Sequence, residues 1–369
     1  MISAPETQRP KVNWRQVGLF LGLTFAFTYI LDLILHLIGG LRSPSALIFL
    51  QLQMLLPAFF AIFLGMFLFS DSPFYIHNPM PDGRRDRARS FFYLYIAFTL
   101  SFVVLAAVSV LAPKQQGLVG LVRLILLFVG LLGLVLFRAL NGREAFARAN
   151  LRGGRLLDWI IYGAAIVAFL ALQTGLNALF GLGKPVDASR LVPPGVNIAP
   201  STLVILLGVQ TIVEGSLLGL VVAFGEEYGW RGFLQGQLIR LGKKRGVLIL
   251  GLIWGAWHYP IIWMGYDYPG YPVAGTLMMT ILCVLLAYVL GYAMLKTGSI
   301  WLAAFMHAVV DQSGAYFAAV VNTPTNPLFS FGIGLPGLAM LAIVVLLLLR
   351  DPVWKDSTVD TLLPKPAVA

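Results

Sequence analysis

Apolar residues along this chain do not alternate with polar ones. They run in blocks of about 20, at roughly 17–38, 46–70, 91–112, 118–138, 157–181, 201–224, 246–264, 272–295, 299–320 and 330–349. Each block is long enough to cross ~30 Å of hydrocarbon at ~1.5 Å per residue. Inside lipid a backbone satisfies its own polar groups only as a helix or a closed barrel, and uninterrupted runs of this length predict helices. The expected fold is all-α, a polytopic transmembrane helical bundle of about ten spans (eight to ten). Blocks 91–112 and 118–138 lie close enough to form a hairpin.

The charges between the blocks give the bundle an orientation. Basic residues gather in alternate connections: Arg9, Lys11 and Arg15; Arg84, Arg85, Arg87 and Arg89; Arg143, Arg148, Arg152 and Arg155; Arg240, Lys243, Lys244 and Arg245; then Lys296, and finally Arg350 and Lys355. The intervening connections hold Arg42, Lys114, the pair Lys184 and Arg190, or no basic residue at all. By the positive-inside rule both termini are expected in the cytoplasm, with the protein integral to a bacterial plasma membrane. The net charge of +10 therefore reflects topology and not a nucleic-acid partner. The N-terminal block is longer than a secretory signal core and lacks a small-residue cleavage site, which predicts an uncleaved first span. The single cysteine, Cys283, sits in an apolar run and excludes a disulfide framework or thiolate metal cluster. The Pro-containing loop 184–200 divides the chain into an expected accessory bundle (1–200) and a working core (201–320). Residues 321–369 are read as a final span and cytoplasmic tail.

Ionisable groups at membrane depth cost about 2.5–3.5 kcal/mol each on insertion scales, so each calls for a reason. In "FGEEYGWRGF", Glu227 and Arg231 are four apart with the acid first, the favourable order for an ion pair on a helix. Glu226, about 100° around the same helix, is left without a local partner, and a carboxylate free in a dry setting suits a proton acceptor. In "WGAWHYP", Trp254 and His258 share a face, and Pro260 should bend the span or free a backbone carbonyl. In "FMHAVVDQ", His307 and Asp311 are again four apart on one face. The chain has four histidines, and two of them lie in these spans; His36 pairs with Asp32 at the same spacing in the first block, a structural arrangement. Glu214 is read as a helix contact or cavity liner, and Trp230, Trp254, Trp257, Trp263 and Trp301 as belt or packing aromatics. Depth sets a condition on any shared site. His258 lies ~18 Å and His307 ~12 Å into their blocks, whereas Glu226 falls at the end of its own. The three meet if the sixth helix runs on beyond its block, with Gly225, Gly229 and Gly232 allowing close packing.

"EEYGWR", "WGAWH" and "HAVVD" together resemble the three motifs EExxxR, [F/W]xxxH and Hxxx[N/D] of the CAAX-processing and bacteriocin-processing intramembrane proteases, also called the CPBP or abortive-infection family. The resemblance covers roughly residues 205–320. It implies that Glu226 and His258 activate the attacking water, that His307 and Asp311 steady the oxyanion, and that Glu227 and Arg231 support them. Asp311 stands where the prenyl proteases carry Asn, so it must be protonated, orient His307 or help hold a metal. Glu226, His258, His307 and Asp311 also make a donor set suited to zinc, although no HExxH is present; metal-free water activation is preferred. The expected partner is a membrane-bound or lipidated peptide or protein within the bilayer. A transporter or proton-coupled carrier and a non-catalytic peptide-binding immunity protein are the competing readings, the first weakened by the lack of an inverted repeat.

Overall fold

The computed structural model describes residues 11–78, 87–148 and 150–355. Arg9, Arg84, Arg85 and the tail beyond Lys355 lie outside the described residues. Each apolar block forms a helix: α1 (Trp14–Leu37), α2 (Ala46–Phe67), α3 (Arg87–Leu111), α4 (Gln116–Arg148), α5 (Leu156–Leu179), α6 (Pro200–Leu241), α7 (Lys243–Trp257) with the short α8 (Tyr259–Trp263), α9 (Pro272–Thr297), α10 (Ile300–Tyr316) and α11 (Leu335–Leu348). Seven of these are long and apolar enough to cross a membrane. The shorter α7, α10 and α11 complete an all-α bundle of about ten crossing elements, and the chain is an integral membrane protein.

Local chemistry explains the ends. The Asn13 side chain caps α1 by accepting from Gln16 N, and Ser299 caps α10 by accepting from Leu302 N. Proline opens α6, α9 and α11, where its missing N–H costs nothing. Gly298, at φ 63°, closes α9 in the left-handed conformation that glycine adopts freely. The outer surfaces carry bare leucines, for example Leu111 at 83% exposure, as lipid-facing helices require.

The length of α6 organises the interior. At 42 residues it extends about 63 Å, twice the hydrocarbon thickness. Its geometry widens to π-helix at Gln210–Glu214 and again at Tyr228–Leu234. The sixth helix thus runs on past its apolar block, as a shared site demanded, and it does so through glycine. A Cβ on Gly225 would lie 2.4 Å from Met54 O, and one on Gly229 would lie 2.4 Å from Pro57 Cβ, so α2 packs backbone to backbone against α6. Gly232 differs from expectation: a Cβ there would meet the Tyr228 ring at an ordinary 3.5 Å and Ile300 Cδ1 at 3.8 Å, because this residue faces side chains and not a helix backbone. On the far side α10 lies along α6, and α9 packs antiparallel on α7, where Gly251 and Gly255 bring the backbone up to Val284 and Thr280.

One buried hydrophobic cluster runs from Val17 in α1 to Trp354 beyond α11 and draws on both halves of the chain. Strands β1 (Gly183–Pro185) and β2 (Asn322–Pro324) pair antiparallel, Lys184 opposite Thr323, and tie the long connection after α5 to the end of α10.

Candidate active site

Glu227 joins two of the three charged segments. Its Oε1 accepts from Arg231 Nη1 at 2.8 Å and from His307 Nδ1 at 2.8 Å, linking α6 to α10. Both members of the Glu227–Arg231 pair are wholly buried. The guanidinium also lies 4.2 Å from the Trp254 ring centre, a cation–π contact. Taking two charges out of water is expensive, so this pair fixes geometry more than it adds stability. Since the carboxylate accepts, His307 donates from Nδ1 and presents Nε2 to the other side. There Asp311 Oδ2 stands at 3.7 Å, too long for a hydrogen bond and within ion-pair reach.

Glu226 turns the other way around α6. It is 2% exposed, and its Oε2 accepts from Trp254 Nε1 at 2.7 Å and from Trp230 Nε1 at 3.3 Å. The expectation that it lacks a local partner is corrected here. Trp230, four residues on, is that partner, and it was missed because an indole N–H carries no charge to count. The reading of Trp254 and Trp230 as packing aromatics changes for the same reason. Both are buried, yet each spends its one donor on this carboxylate. Trp257 donates instead to Thr28 of α1, and Trp263 is exposed.

His258 stands where α7 ends. Its own N–H bonds to Gly255 O at 3.1 Å, tightening the turn, and its Nδ1 lies 2.8 Å from Trp254 O. A carbonyl only accepts, so Nδ1 carries the proton and Nε2 is left as an acceptor. Pro260 cannot donate to Ala256 O, and Tyr29 OH of α1 takes that carbonyl at 2.7 Å. The proline does free a carbonyl, and α1 uses it. The Trp254 indole meets both histidines, with ring centroids 5.9 Å from His258 and 5.5 Å from His307. Glu226, His258 and His307, from three helices, therefore surround one side chain.

Access grades across the cluster. Glu226, Glu227 and Arg231 are buried, His307 is 7% exposed and His258 is half-buried, while the Asp311 side chain is 44% exposed although it sits in the middle of α10. Two residues that sequence reasoning overlooked, in the turn between α8 and α9, lie within electrostatic range of it. Asp267 is near enough to Asp311 for direct electrostatic interaction, and Tyr266 is near enough to Asp311 and Glu226. The available signal was "GYDYPG", an acid inside a turn-forming run; Asp267 sits at φ 57°, a left-handed position that Asp tolerates. Among the described residues, no three His, Cys, Asp or Glu side chains converge as metal ligands, so the zinc set of Glu226, His258, His307 and Asp311 is not assembled in this arrangement. Glu214 lies on the exposed side of α6, and the expected His36–Asp32 pair separates: His36 faces outward while buried Asp32 accepts from Gln53 Nε2 of α2.

Residues 208–313 fit the family model described as type II CAAX prenyl endopeptidase Rce1-like. The matched segment spans all three charged motifs and is less than a third of the chain. No curated protein and no solved structure matches.

Proposed function

We propose, from the match of residues 208–313 to the type II CAAX prenyl endopeptidase Rce1-like model, that this chain is an intramembrane endopeptidase acting on a membrane-bound or lipidated peptide. The observation that supports the reading best is the clustering of Glu226, His258 and His307 around Trp254. Three helices each bear a costly group, and one polar centre accounts for all of them. In the proposed step, water attacks the scissile carbonyl carbon while Glu226, aided by His258 Nε2, takes its proton. The carbonyl electron pair moves to oxygen, and that oxyanion faces His307 and Asp311. As the C–N bond breaks, the proton passes from Glu226 to the leaving amine, and the oxyanion returns its pair to the carbonyl. Glu227 and Arg231 hold His307 in place for this step. On this reading, the orientation rule that predicts cytoplasmic termini puts the basic ends of α6 and α7 on the same side.

The test is cleavage of a farnesylated CAAX-terminated peptide and an unmodified transmembrane peptide by purified protein in detergent. Glu226→Gln keeps the shape but cannot take a proton, and it is expected to abolish cleavage while expressing like the parent. Cleavage retained in that variant removes the role assigned to Glu226. Transport of a solute by sealed vesicles, with no cleavage of either peptide, would favour the carrier reading instead.

A further inference from the structure

We propose that Trp254 is the positioning residue that decides which carboxylate oxygen and which imidazole nitrogen act in this centre. The inference rests on the protease reading for its chemistry, but not for its geometry. Two indole N–H groups converge on a single oxygen of Glu226, at 2.7 Å from Trp254 and 3.3 Å from Trp230. Oε2 is thereby occupied, and Oε1 is the oxygen free to receive a proton from water. An indole donates but never accepts, so this pair orients the carboxylate without competing for the proton it must carry. A lysine or arginine in the same place would hold Glu226 as a salt bridge and make it a poor base.

The backbone of the same residue sets His258. The turn that ends α7 draws the His258 N–H to Gly255 O, away from the Trp254 carbonyl it would have met in a continuing helix. The His258 ring satisfies that carbonyl from Nδ1 at 2.8 Å. This bond fixes the tautomer and aims Nε2 away from Trp254, the arrangement a neutral histidine needs to act as acceptor. The ring of Trp254 meanwhile lies against the Arg231 guanidinium at 4.2 Å and edge-on to His307 at 5.5 Å. One residue thus registers all three charged segments.

The experiment uses the full chain in detergent micelles with selectively nitrogen-labelled tryptophan and histidine. The Trp254 indole signal is assigned by its loss in Trp254→Phe, or by elimination among the other seven of the eight tryptophans if that variant does not fold. It is expected to move upfield in Glu226→Gln, where the accepting oxygen loses its charge, and His258 is expected to carry its proton on Nδ1. An unmoved indole signal, or a His258 proton on Nε2, overturns the proposal. In the peptide assay, Trp254→Phe should lower kcat ~10- to 100-fold, as loss of a hydrogen bond to a charged group does, with KM unchanged, and Trp230→Phe should do less. A Trp254→Phe enzyme with parental kcat also overturns it. Failure of the protease reading is separate: it shows as no cleavage of either peptide by the parent protein while the two spectroscopic results stand.

Discussion

Arg231 shows how a single side chain in this protein serves structure and site together. It is wholly buried, pairs with Glu227 and stacks on Trp254, and Glu227 in turn holds His307. Arg231→Ala strands the Glu227 carboxylate in the interior, a loss of about 3–5 kcal/mol for an unpaired buried charge. The expected outcome is a lower unfolding temperature in detergent together with lost activity, in contrast with Glu226→Gln, which should lose activity alone. Asp311 answers a different question. It is accessible and 3.7 Å from His307, and among the described residues no three potential metal ligands converge around it. Asp311→Asn is therefore expected to be tolerated, since an amide donates where a protonated acid would, and exhaustive chelation should leave cleavage intact. Loss of activity on chelation that zinc alone restores would reverse both expectations.

The contact between α2 and α6 decides where Glu226 sits. Gly225 flanks the acidic pair and Gly229 follows it by one half-turn, and both face the α2 backbone around Pro57. Gly229→Ala and Gly225→Ala place a methyl where 2.4 Å is available, and each should destabilise by roughly 1–3 kcal/mol as the helices separate. Gly232→Ala has 3.5 Å of room and should be near neutral. Thermal unfolding of the three variants side by side checks the ranking. The π-helical widening at Tyr228–Leu234 adds to the same effect, since it shifts the face that Trp230 and Arg231 present relative to a regular helix.

At the scale of the whole molecule, the last segment closes the bundle through Asp351. It caps the turn at Pro352–Trp354 by accepting from Val353 N at 2.8 Å, and it takes Lys296 Nζ of α9 at 3.0 Å and Tyr292 OH at 3.0 Å. The Val353 backbone donor first, and the Lys296 ammonium after it, hold the Asp351 carboxyl below the usual carboxylate range. A depressed folded value means that this contribution is fully present above the ordinary Asp pKa and is lost as pH falls through the folded one. Docking of residues 350–355 should therefore weaken only in strong acid. Limited proteolysis of the C-terminal segment should accelerate there, and Asp351→Asn should show the faster cleavage at neutral pH. The cluster that Trp354 joins also contains α1 and α2 residues, so the N-terminal half is part of the packing that supports the centre.

The sequence by itself determined the fold class, the positions of the helices and the identity of the charged residues at membrane depth. Each of these follows from local physics: an apolar run of about 20 residues has one soluble form in lipid, and a charge inside it is conspicuous because it is costly. The i to i+4 pairing of Glu227 with Arg231 was legible for the same reason. Tertiary structure decided how these residues meet. That His307 shares the Glu227 oxygen and that the Trp254 indole joins Trp230 on Glu226 are contacts between distant segments, set by how far α6 runs and by where α7 breaks. Neutral donors such as the Trp254 indole, and carbonyls such as Trp254 O, leave no mark in a pattern of charge and hydropathy. They become functional only when the fold turns them toward a buried carboxylate and an imidazole.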